Sequence, residues 1–249
     1  MSAELLHMNT STRILSQLRH VRLPWLLLFT LVSASCLAVA MLGARVLYSG
    51  RGWHMYLLWN LILAWMPLLL AVAFHLCDGA LTQLRSLRFA CGCGWLLFLP
   101  NAPYIVTDFV HLVAQPPVPL WFDILLLMTF AWTGVMLGFA SLRLMQQRVE
   151  SRWGGRVGWG FAAVTLALAS FGIYLGRFQR FNSWSVLNRP LDVLADMAHR
   201  VFVPWEHPRA WGFTACCFVF LLLAYASWAN GQWKSAWEAE EAKANSDLR

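Results

Sequence analysis

The stretch FLPNAPYIVTDFVHL, residues 98–112, decides how this chain is read. It lies in strongly apolar surroundings, yet it holds two prolines, an asparagine, an aspartate and a histidine. Leu99 and Ala102 each precede a proline, which biases both away from helical backbone. A helix arriving from Arg88 is therefore expected to end near Leu99, and a second to begin near Pro103. The first piece, residues 88–99, reaches about 18 Å at 1.5 Å per residue. That is too short to cross a hydrocarbon layer of ~30 Å. The break is thus expected inside the membrane, where irregular backbone survives only against protein or a water-filled cavity. Asn101 suits such a place, because its side-chain oxygen can accept from a freed backbone N–H.

Composition agrees with this reading. Apolar residues make up 59 % of the 249-residue chain and charged residues 12 %, against about 25 % charged in an ordinary soluble domain. Apolar runs of spanning length predict an all-α polytopic membrane protein with six spans, near 24–42, 55–76, 88–113, 120–142, 157–176 and 209–230. The third is broken at Pro100–Pro103. Residues 1–23 read as a basic amphipathic lead-in lying on the membrane surface, and 231–249 as a polar tail. Within the long connection after the fifth span, the apolar face of Leu191, Leu194, Ala198 and Phe202 predicts a surface helix over about 190–203.

The net charge of +7 does not point to nucleic acid, because the basic residues are dispersed at span ends. With a cytoplasmic N-terminus the inner segments carry 12 Lys/Arg and the outer ones 7. This balance places both termini in the cytoplasm of a bacterial inner-membrane protein, although the tails supply the excess. SASC at 33–36 loosely resembles a lipoprotein cleavage site, but the apolar run continues to Leu42, so the segment is read as a retained span. The six cysteines fall in or beside spans and read as small buried hydrophobes. Glycines four apart, Gly134 with Gly138 and Gly172 with Gly176, allow close helix approach. They serve either packing inside the chain or a helix-mediated oligomer.

The polar residues follow a pattern. In an α-helix, Tyr104, Thr107, Asp108 and His111 share one face, which should turn inward from lipid. Asp123 opens the fourth span, and GIYLGRFQRFNSW delivers Arg177, Arg180, Asn182 and Trp184 to the same membrane level. Asn60 lies near the corresponding end of the second span. Alternation of spans alone brings these residues together, whichever way the protein is inserted. Asp108 and Asp123 are both candidate partners for Arg177.

The elements LLWNLILAWMP, FLPNAPYIVTDFVHL, WFDILLLMTFAWTGVMLGFASLRLM and GIYLGRFQRFNSW, in this order, resemble the bacterial membrane family labelled domain of unknown function 1361. The resemblance covers roughly residues 50–190. It implies a multi-span membrane protein and supplies no activity. An acidic residue often follows NSW in that pattern, where this chain has Ser185.

Three functions fit these residues. An outer-facing polar pocket could bind or pass a small anion or an anionic, lipid-like ligand, held by Arg177 and Arg180. Asp108 and His111 could instead act as an acid–base pair, or as metal ligands with Asp123, in a membrane-embedded hydrolase. No HExxH, GxSxG or CxxC motif supports that chemistry, and the sequence leaves the cofactor unknown. The third is a structural or assembly subunit whose polar cluster only fixes helix packing.

Overall fold

The computed structural model describes residues 25–79, 85–179, 199–200 and 203–247, with backbone alone at 78–79, 85, 204 and 232–247. The lead-in 1–23, Arg180, Asn182, Trp184 and most of the surface helix expected at 190–203 lie outside the described residues. The elements are α1 (Trp25–Ser49), α2 (Tyr56–Gly79), α3 (Arg85–Phe98), the short α4 (Asn101–Tyr104), a 3-10 helix (Ile105–His111), α5 (Leu120–Trp153), α6 (Gly155–Phe178), a 3-10 turn (Pro204–Glu206) and α7 (Pro208–Asp247). Six segments are long and apolar enough to cross a membrane, the third being the composite Ser86–His111. The chain is thus an all-α polytopic membrane protein, without a strand among the described residues. Helix α1 runs beyond Leu42 to Ser49 and α5 beyond residue 142 to Trp153. Helix α7 continues to Asp247 through residues expected as a polar tail, where Ala, Glu and Lys favour helix.

Helix α5 is the central post. In its most apolar window 67 % of residues are buried within the protein, against 17 % for α1, which therefore turns most of its surface to lipid. Helices α1, α2, α6 and the broken span all pack on α5, and α7 packs on α6. The α5–α6 connection is a tight reversal at Gly154, whose φ of 87° is costly for any residue with a Cβ.

The break is gentler than the prolines alone suggest. Pro100 keeps helical dihedrals, and the Tyr104 N–H donates to Pro100 O at 3.1 Å. Ala102 is helical although a proline follows it. Pro103 lies in the first turn of α4, where its missing N–H deprives no carbonyl of a helical partner. The Ala102 N–H tightens onto Leu99 O at 3.2 Å, so Phe98 O loses its usual donor. Asn101 Nδ2 supplies one at 3.1 Å. Asn101 thus serves the break as a donor to a carbonyl, a use of its side chain that the sequence reading does not anticipate.

Small residues on two helices receive this bend. A Cβ built on Gly134 would run into the backbone oxygen of Ala102, and one on Gly138 would lie 3.2 Å from Ala102 Cβ. One on Gly172 would lie 2.7 Å from Pro100 Cγ. The close approach that these glycines permit is made inside the chain, between the broken span and the α5–α6 pair.

Candidate functional site

From Ile105 to His111 the chain winds as a 3-10 helix, in which residues three apart eclipse. The α-helical stripe expected for Tyr104, Thr107, Asp108 and His111 therefore splits. Ile105, Asp108 and His111 form one line, and Tyr104, Thr107 and Val110 another. Ile105 and Asp108 are buried, and His111 at the end of its line is exposed.

Asp108 is held from two sides. Asn60 Nδ2 donates to its Oδ2 at 2.8 Å, and Arg177 Nη1 to its Oδ1 at 3.2 Å. Arg177 also donates through Nη2 to Thr107 O at 2.6 Å and through Nη1 to Tyr104 Oη at 3.4 Å. Its guanidinium lies 5.7 Å from the Tyr104 ring centroid, a cation–π distance. Thr107 turns its hydroxyl onto Tyr104 O at 2.7 Å. Asn60, Tyr104, Thr107, Asp108 and Arg177 thus meet as the span alternation anticipates. His111 does not hydrogen-bond to Asp108; it meets the Tyr56 ring edge-on at 6.0 Å.

Asp123 goes elsewhere. Arg45 Nε reaches its Oδ1 at 2.6 Å and Arg45 Nη2 its Oδ2 at 3.0 Å, and both side chains are 1 % exposed. Gln115 Oε1 accepts a third hydrogen bond from Arg45 Nη2 at 2.9 Å. The pairing of Asp123 with Arg177 considered from sequence is therefore not made. The first turn of α5 faces α1, and Arg45 is the cation within reach. Among the described residues, Asp108, His111 and Asp123 form no group of metal-ligand spacing.

Sequence reasoning missed Arg45, Gln115 and two neighbours. His54 is 3 % exposed, and its Nδ1, like Tyr56 Oη, is buried without a hydrogen-bond partner among the described residues. Burial, with the Arg45 charge second, holds the His54 imidazole below its ordinary value. A second polar cluster, at the opposite end of the bundle, was also missed. There Arg143 Nη1 reaches Glu150 Oε1 at 3.1 Å, and Gln146 Nε2 donates to the same oxygen at 2.8 Å. The buried Tyr225 hydroxyl donates to Gln146 Oε1. A Cβ on Gly158 would strike Glu150 Cγ, so glycine makes the room for that carboxylate. The i, i+4 and i, i+7 spacing on α5 was the available signal.

Beside the Asp108–Arg177 pair a groove of about 410 Å³ runs between the 3-10 helix, α6 and α7. Among the described residues its walls are apolar, with Val106, Phe213 and Phe220 prominent. Thr107 and Arg177 supply the polar exceptions. Arg177 has five N–H donors; Nε–H and one Nη2–H have no protein partner among the described residues.

A family model described as protein of unknown function (DUF1361) matches residues 59–224. The chain belongs to that family. The matched segment contains Asn60, Asp108, Asp123, Arg177 and the groove, whereas Arg45, His54, Tyr56 and Tyr225 lie outside it. No curated protein and no solved structure matches the chain.

Proposed function

We propose that this DUF1361 membrane protein binds a lipid-like amphiphile, its hydrocarbon chain in the groove and its oxygen-rich head at Arg177. One observation carries the reading: an apolar groove of ligand-binding size ends on an arginine with donors that no described residue takes up. Asp108 neutralises and orients Arg177, so the residual donors act as a fixed fork for headgroup oxygens. A small free anion is a poorer match, because the walls offer it almost no polar surface. Catalysis by Asp108 with His111 has less support, since Asn60 and Arg177 already occupy the carboxylate. The Lys/Arg balance of the connections and tails supports cytoplasmic termini in the inner membrane, with this groove toward the outer face.

Photo-crosslinking tests the proposal. A phospholipid carrying a diazirine on its acyl chain is incorporated with the full-length protein into nanodiscs. Label should concentrate on Val106, Phe213 and Phe220, and Arg177→Gln should reduce its yield there. Label spread evenly over the lipid-facing helices, and indifferent to Arg177→Gln, would overturn it.

A further inference from the structure

The turn leading into α7 carries a donor set separate from the groove and independent of the function proposed for it. His199, Glu206 and His207 each offer one ligand atom, and these three atoms lie within 4.8 Å of one another. His199 Nδ1 is 2.9 Å from His207 Nε2, and His199 Nε2 is 3.8 Å from Glu206 Oε2. Backbone hydrogen bonds hold the turn in shape. The Val203 N–H donates to His199 O at 2.9 Å, Glu206 N–H to Val203 O at 3.2 Å, and Ala210 N–H to His207 O at 3.0 Å. The Trp211 indole N–H closes it by donating to Arg200 O at 3.0 Å. Two imidazoles and a carboxylate are therefore presented together on a short pinned segment.

We propose that His199, Glu206 and His207 form a binding site for a late first-row divalent cation such as Zn²⁺. Two imidazole nitrogens and one carboxylate oxygen suit an ion of intermediate softness, with water completing the shell. Mg²⁺ and Ca²⁺ fit poorly, because they demand shells of oxygen ligands. The imidazole spacing is close to what the ion requires. Two nitrogens on a tetrahedral Zn²⁺, each about 2.0–2.1 Å from it, stand about 3.3 Å apart. The pair must therefore open by only about 0.4 Å from its 2.9 Å contact. Glu206 Oε2 stands beside the other His199 nitrogen, Nε2, so its 56 % exposed side chain has to swing to the Nδ1 side to supply a carboxylate oxygen from the rim.

Arg200 tunes this site. Its Nη1 lies 3.4 Å from His207 Nδ1, and a guanidinium can only donate. Where Nη1 donates to His207 Nδ1, the ring proton of His207 has to sit on Nε2, facing His199 Nδ1. Binding moves that proton to Nδ1 and opens Nε2 to the ion. The long Arg200 contact then parts, while Arg200 keeps its contact with Tyr174 Oη at 3.3 Å. Arg200 opposes the ion twice, by charge and by tautomer.

Calorimetric titration of Zn²⁺ into the detergent-solubilised full-length chain, prepared without a polyhistidine tag, tests the site. One saturable site per chain is expected. The double variant His199→Ala/His207→Ala should lose it with helicity unchanged, and Arg200→Gln should tighten it several-fold. Glu206→Gln, at an exposed position, should weaken binding without disturbing the fold. No saturable uptake by the wild type, or uptake that survives the double variant, would refute the site. Should the double variant fail to fold, unchanged affinity in Glu206→Gln is enough to overturn it.

Discussion

The two buried carboxylates at the polar end, Asp123 and Asp108, are each matched to an arginine, yet the pairs are built differently. Arg45 grips Asp123 through two hydrogen bonds, and both side chains are 1 % exposed. Arg177 touches Asp108 once, at 3.2 Å, with its own side chain 14 % exposed on the edge of a groove. Asp108 divides its oxygens between Arg177 and an amide, Asn60. The sealed pair exchanges donors only with the protein and reads as a clamp joining α1 to α5. The open pair keeps donors without a partner among the described residues, as the proposed binding role requires. Similar residue types are thus sealed in one place and open to a groove in the other, and access to the guanidinium separates them.

The largest expected effect follows from the sealed pair. Asp123→Asn strands a guanidinium that cannot release its proton, at a cost of about 3–5 kcal/mol. It should appear as a large fall in Tm and in cellular abundance. Asp108→Asn should cost less, about 1–3 kcal/mol, because Arg177 retains some access to the groove. If the two variants were equally destabilising, the distinction between clamp and binding group would fail. Removing the third hydrogen bond of the Arg45 side chain with Gln115→Ala should cost about 1 kcal/mol, measured in the same thermal series. Binding of the crosslinkable lipid should be unaffected by that change.

The smallest effect is a pH slope. Burial and Arg45 depress the His54 pKa from its ordinary 6.5. As pH falls through that value, the unfolded chain takes up a proton that the folded His54 refuses, so stability is lost toward acid. His54→Asn should flatten the Tm–pH curve below about 6.5. An unchanged curve would show that the acid sensitivity originates in other groups.

Much of this architecture was legible in the sequence, because each readable feature is local. Apolar run length marks the spans, paired prolines mark the break, and the alternation of spans brings Asp108 to the level of Arg177. What was not legible depends on direction. Arg45 follows an apolar run ending at Leu42, so it reads as a charge reaching for headgroups; only the rotation of α1 against α5 turns it onto Asp123. The 3-10 winding of 105–111 changes the repeat from 3.6 to 3 and so reassigns the polar stripe. Asn101 has both donor and acceptor atoms, and its donation to Phe98 O follows only from the backbone group that the bend leaves unmatched.

The glycine notch that receives the bend has a mechanical meaning. Gly134 and Gly172 bring the third span against its neighbours at the backbone and at a proline ring, parts that have no rotamers to exchange. A joint of that kind leaves little room to slide or turn. The depth at which Asp108 meets Arg177 is thus set by main-chain fit, as a mortise sets the height of a shelf. Substitutions at the notch, well away from either charge, should act as adjustments of level, raising or lowering one half of the ion pair against the other.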